Sequence, residues 1–143
     1  MNRAFLCSAI EGLASEYGYH FQQGEKSCYP TTVCRYPVAF LFQPEFVSIE
    51  GRKHGKITYK LSLALAQQAA KLSPKERNTM LDAMEEEMTK IFLELSKAEK
   101  IAVVDNLTIS PSSEVIDNHG ALAVVANAEV TTIFNTKSDK LWK

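Results

Sequence analysis

The residues of this sequence that could carry chemistry are few and scattered: three cysteines, three histidines, an isolated Asp105 and a run of three glutamates, Glu85, Glu86 and Glu87. Cys7, Cys28 and Cys34 match neither the paired spacing of a zinc site nor a C-x-x-C redox motif, and His20, His54 and His119 fall singly on different segments. Free thiols and no metal are therefore expected. Consecutive helical residues point about 100° apart, so Glu85, Glu86 and Glu87 cannot converge on one ion. Asp105 has no second titratable group in its motif and reads as a residue at a strand bend beside Asn106. The sequence holds no G-x-S-x-G, no glycine-rich phosphate loop and no carboxylates paired next to a histidine, so a non-enzymatic role without a cofactor is expected.

The elements that must position these residues are easier to read. The 143 residues suit one domain, expected over residues 1–134 with a C-terminal tail at 135–143. A domain of this size buries about 70% of its unfolded surface and needs no disulfide or metal to fold. Hydrophobic residues at 45% and charged residues at 23% argue against a disordered chain and a membrane span. A net charge of -1 gives no reason to expect general nucleic-acid binding. Residues 1–14 lack the apolar run of a signal peptide, so synthesis and first use in a cytoplasm are expected.

The firmest element is SPKERNTMLDAMEEEMTKIFLELSK, residues 73–97. Ser73, Pro74 and Glu76 form a helix-start signal with a capping box. Leu81, Met84, Met88, Ile91 and Leu95 recur at spacings of three and four, widened by Met80, Ala83 and Phe92, which makes a stripe to be buried. Asp82, Glu85, Glu86, Glu87, Lys90 and Glu94 fall mostly on the opposite side. Phe5, Leu6, Ala9, Ile10, Leu13 and Tyr17 predict an earlier helix from Asn2, stopped at Gly18.

Between the helices, residues 19–32 read as a short edge strand running into a loop. YPVAFLFQPEFVSIE, residues 36–50, reads as a strand with Pro37 and Pro44 where it could begin or bulge. GRKHG follows as a turn. In residues 56–66, Ile57, Tyr59, Leu61, Leu63 and Leu65 alternate with Lys56, Thr58, Lys60, Ser62 and Ala64, so a hairpin is predicted with one apolar and one polar face. Residues 100–110 and 121–134 predict a second hairpin, and Ala121, Ala123, Ala126 and Ala128 suggest close approach of a helix or another chain. The expected class is α+β: a mixed or antiparallel sheet of about four to five strands with two helices on one face, in α-β-β-α-β-β order.

Arg52, Lys53, Lys56 and Lys60 have no acid between them. Their simplest role is an edge kept from aggregating; the sharper one is a docking surface for acidic groups, such as Glu85, Glu86 and Glu87 of a neighbouring copy, or for nucleic acid passing nearby. Trp142, beside Leu141 in a polar tail, could anchor in a partner's pocket or fold back on its own core.

With YPVAFLFQPEF leading into the hairpin, SPKERNTMLDAMEEEMTKIFLEL after it and VVDNLTIS and ALAVVANAEVTTIF closing, the chain resembles, over residues 1–134, the tail-terminator (tail-completion) proteins of long-tailed bacteriophages. The likeness is one of size and element order. It implies a virion structural protein made in the host cytoplasm and placed at the head-proximal end of the tail. There it would form a hexameric ring that ends the tail tube and joins it to the head connector. The implied partners are further copies, the tail-tube protein and the head-connector protein, with DNA only in transit through the channel and no membrane. The alternative is a small α+β adaptor or ligand-binding domain, monomeric or dimeric, with a pocket on the sheet face away from the helices; a third is an enzyme with a dispersed site.

Overall fold

The computed structural model describes residues 2–24, 36–51, 54–69, 71–111 and 121–135. The elements are α1 (Arg3–Glu16), β1 (His20–Gly24), β2 (Val38–Phe42), β3 (Glu45–Gly51), β4 (His54–Gln67), α2 (Pro74–Ser96), β5 (Ile101–Pro111) and β6 (Leu122–Asn135). The fold is α+β, and its sheet has six strands in the order β1-β2-β4-β6-β5, with β3 also paired to β4. Four strands stand between the helices: the short edge strand read at the start of residues 19–32, the two of the expected hairpin, and one more.

The edge strand is β1, which runs parallel to β2. The additional strand arises because residues 36–50 are two strands. Pro44 has no amide hydrogen to give to a ladder, and the chain breaks at Gln43 and Pro44. Both pieces lie antiparallel on the same side of β4, β2 against residues 63–66 and β3 against residues 55–60. On its other side β4 pairs with β6 along all fourteen of its residues. Glycine closes the β3–β4 hairpin: Gly51 sits at φ +93, and a Cβ on Gly55 would run into the Glu50 carbonyl oxygen.

The alternation in β4 does what its pattern predicts on one face, where Ile57, Tyr59, Leu61, Leu63 and Leu65 are wholly buried. They share a core with Leu6, Ile10 and Ala14 of α1, Met84, Met88, Ile91, Phe92 and Leu95 of α2, and Val124, Ala126, Ala128 and Val130 of β6. Both helices thus cover the same face. Helix α2 starts with a complete capping box: the Glu76 amide donates to Ser73 Oγ at 3.2 Å and the Ser73 amide to Glu76 Oε1 at 3.3 Å. Ala83 is exposed and does not widen the stripe. Helix α1 is followed by Gly18 at φ +83.

Asn2, the residue before α1, uses its side chain on the sheet instead of on the helix. It is buried, and its Nδ2 donates to Thr132 Oγ1 at 2.9 Å and to the Ile133 carbonyl at 3.0 Å. Thr132 in turn donates to the Ile57 carbonyl at 3.1 Å. Arg3 lies over the Tyr59 ring at 5.5 Å and its Nε donates to the Pro44 carbonyl at 3.2 Å, so the start of α1 is tied to the break between β2 and β3.

The opposite face is polar only in part. Val38, Phe40, Ala64, Ala66 and Ala123 form a second, smaller buried cluster there, so Ala64 and Ala123 are core residues of the far side. The reason lies in β2, whose VAFLF run has no polar alternation and presents apolar side chains to both faces. The expected second hairpin is present as the antiparallel β5–β6 pair, with two register shifts. Asn106 sits at φ 52 in one of them, and its amide donates to Asp105 Oδ1 at 2.9 Å, which makes Asp105 an exposed bend residue. The loop expected before Thr32, the loop and turn at 112–120, Arg52, Lys53, Cys28, Cys34, His119 and the tail with Trp142 lie outside the described residues. No helix among the described residues is long and apolar enough to cross a membrane.

Candidate functional site

The polar end of the open sheet face is a candidate surface built by register. Directly opposed residues of antiparallel strands share a face. Lys60 stands opposite Glu45 on one side and Glu129 on the other, and Glu129 stands opposite Asp105. One row therefore reads Glu45, Lys60, Glu129, Asp105 across four strands. A second row places Glu50 and Ile133 on either side of Lys56. Between the rows the Thr58 and Thr131 hydroxyls are hydrogen-bonded at 2.9 Å, and further along Ser62 donates to Asn127 Oδ1. Asn106 Nδ2 donates to Glu129 Oε2 at 3.1 Å.

This placement corrects the charge inferred along the chain. Lys56 and Lys60 are exposed, as expected, but Glu45, Glu50, Asp105 and Glu129 are brought beside them from neighbouring strands. The described part of the face is a mosaic of both signs rather than a basic patch. Neither lysine closes an ion pair among the described residues.

The three glutamates of α2 separate as helix geometry requires. Glu86 is exposed and meets Lys90 at 3.4 Å, one turn on, and Glu94 meets Lys97 at 3.1 Å. Leu93, 56% exposed, lies on this outer surface. Glu85 is half-buried. Glu87 leaves the acidic back altogether: Tyr19 OH approaches its Oε1 at 3.5 Å and accepts from Gln67 Nε2 at 3.1 Å. Burial pushes the Tyr19 phenol up to about 12, a shift opposed by the Gln67 hydrogen bond and reinforced by the nearby Glu87. Burial also raises the Glu87 carboxyl, against the lowering effects of Tyr19 and Lys90. Sequence reasoning missed this cluster, yet a signal existed: Glu87 follows Met84 by three and precedes Ile91 by four, so it belongs to the edge of the stripe.

Two shallow grooves lie elsewhere on the described surface. One, of about 520 Å³, is lined by Gln67, Leu72, Lys75, Thr79, Met80 and Ala83 beside the start of α2. The other, of about 550 Å³, lies between α1 and β1 at Arg3, Cys7, Ser8, Glu11 and Gln23. Cys7 is a free thiol; burial raises its pKa, and Gln23 Nε2 donates to its Sγ at 3.4 Å. A raised thiol is a poor nucleophile. No group of three or more His, Cys, Asp or Glu among the described residues could hold a metal ion. Comparison of the chain with protein-family models and with curated proteins finds no match.

Proposed function

We propose that this chain is a non-enzymatic structural subunit that assembles head to tail into a ring, ending a phage-like tail tube and joining it to the head connector. The resemblance in size and in helix-first α+β order motivates the reading, although the block between the helices has two more strands than that order implies. The observation that carries it is a pair of charge mosaics on opposite sides of the molecule. One is the open sheet face with Glu45, Lys60, Glu129 and Asp105 in a row; the other is the outer surface of α2 with its Glu86–Lys90 and Glu94–Lys97 pairs around Leu93. Distinct surfaces on opposite sides permit the heterologous contacts that close a ring, and their mixed charges would set the register.

Light scattering over a concentration series with negative-stain microscopy tests this, and rings with an open channel are the expected result. Replacing Arg52, Lys53 and Lys56 by glutamate is expected to weaken assembly while leaving the monomer folded, because Lys56 is exposed and opposite Glu50. Unchanged assembly in that variant would remove the hairpin from the interface. The second reading, a small ligand-binding or adaptor domain, is favoured by the groove at Leu72, Met80 and Ala83, which lies on α2 and not on the far face of the sheet. A strict monomer or dimer at all concentrations would move the assignment to it.

A further inference from the structure

The two sides of the sheet end differently. The β5 edge is blunted by two register shifts, by Asn106 at φ 52, by Asp105 and by a final Pro111, all devices that discourage another strand from pairing. Among the described residues, the side occupied by β2 and β3 is covered only along β2, where β1 pairs with residues 38–42. Strand β3 continues that side of β4, and among the described residues nothing pairs with its outer edge. All seven of its residues are exposed, with Phe46 at 45%, Val47 at 48% and Ile49 at 39%, and it contains no lysine and no proline. Its own guards are one register shift, between Phe46 and Ser48, and the carboxylates of Glu45 and Glu50, which discourage an acidic strand and leave the edge a template for a basic one.

Its side chains also specify what would pair. Glu45, Ser48 and Glu50 stand opposite Lys60, Thr58 and Lys56, on the open face, while Phe46 and Ile49 stand opposite Tyr59 and Ile57, on the helix side. Both rows end on the β3 side in a carboxylate, Glu45 beyond Lys60 and Glu50 beyond Lys56, so a cation at the next position outward would face an acid. We propose that the outer edge of β3 receives an added strand from another protein, an extended segment of basic–apolar–polar–apolar–basic pattern. That pattern is already present on the inner edge, where β4 offers Lys56, Ile57, Thr58, Tyr59 and Lys60. Main-chain hydrogen bonds supply the attraction, and the two cations against Glu45 and Glu50 supply the selectivity. This site goes beyond the ring proposal and holds equally for a monomer.

The test is fluorescence anisotropy of the full chain with a labelled peptide copying residues 54–62, compared with the same peptide carrying Lys56→Glu and Lys60→Glu. The lysine peptide is expected to bind about tenfold more tightly at low salt, and the order should reverse on a Glu45→Lys/Glu50→Lys variant of the protein. The peptide preference on the parent protein stands even if that variant fails to fold. Absence of binding, or equal binding of both peptides, would overturn the proposal. So would a dimer of the parent chain that the Glu45→Lys/Glu50→Lys variant abolishes, since the edge would then serve a second copy.

Discussion

On the helix side of β4, Ile57, Tyr59, Leu61, Leu63 and Leu65 are wholly buried, whereas on its other side Lys56 and Lys60 are exposed and Thr58 and Ser62 half-buried. One strand thus serves two purposes with alternate residues. The helix side gathers the apolar contacts of α1, α2 and β6, so the fold's stability is concentrated there. The open side contributes hydroxyl pairs and exposed charges, whose net worth to folding is small but whose pattern a partner can read. The division ends near Ala64, where the second cluster begins and both sides turn apolar.

The comparison predicts unequal costs, and the largest belongs to the helix side. Met88 is wholly buried in the main core. Met88→Asp would bury an unpaired charge at a cost of about 4 kcal/mol or more, a large share of the stability of a domain this size. Circular dichroism should show an unfolded or nearly unfolded chain. Melting like the parent would mean that the stripe faces a partner. Open-face substitutions at Lys56, by contrast, should leave the melt almost unchanged.

Asn2→Ala comes next. It removes one buried and one part-buried hydrogen bond and leaves the Ile133 carbonyl without its side-chain donor, for an expected loss of about 1–3 kcal/mol. Urea unfolding should show a lower midpoint with an unchanged slope. An unchanged midpoint would show that the anchor adds nothing to the attachment of α1.

What was legible in the chain follows from the range of the physics involved. The α2 capping box, the β4 alternation as far as Ser62 and the Gly18 stop depend on residues within four or five positions of one another, and each is present as read. The split at Pro44 was visible as a proline but not as a division, because whether it bulges or breaks a strand depends on how β4 receives both pieces. The charge of the open face is hidden from the sequence for the same reason. Counting along residues 52–60 finds only cations, while Glu45, Asp105 and Glu129 arrive from other strands. The parallel pairing of β1 and the second cluster are likewise set by tertiary partners.

Glu87 is, with the Asn2–Thr132 anchor, a place where the helix side departs from its apolar character, and it gives the smallest of the expected effects. Its carboxyl is raised from the ordinary 4.5, chiefly by burial, so the folded protein holds that proton more tightly than the unfolded chain does. The stability this confers is full below the unfolded value and is lost as pH rises through the raised folded value. Glu87→Gln keeps a group that can accept from Tyr19 and removes the ionisation. The variant and parent should therefore melt closely together in acid, and the variant should gain relative to the parent as pH rises to neutrality. Thermal melts of both proteins at a series of pH values read this directly, and a difference that stays constant with pH would show that Glu87 is solvated in the folded protein.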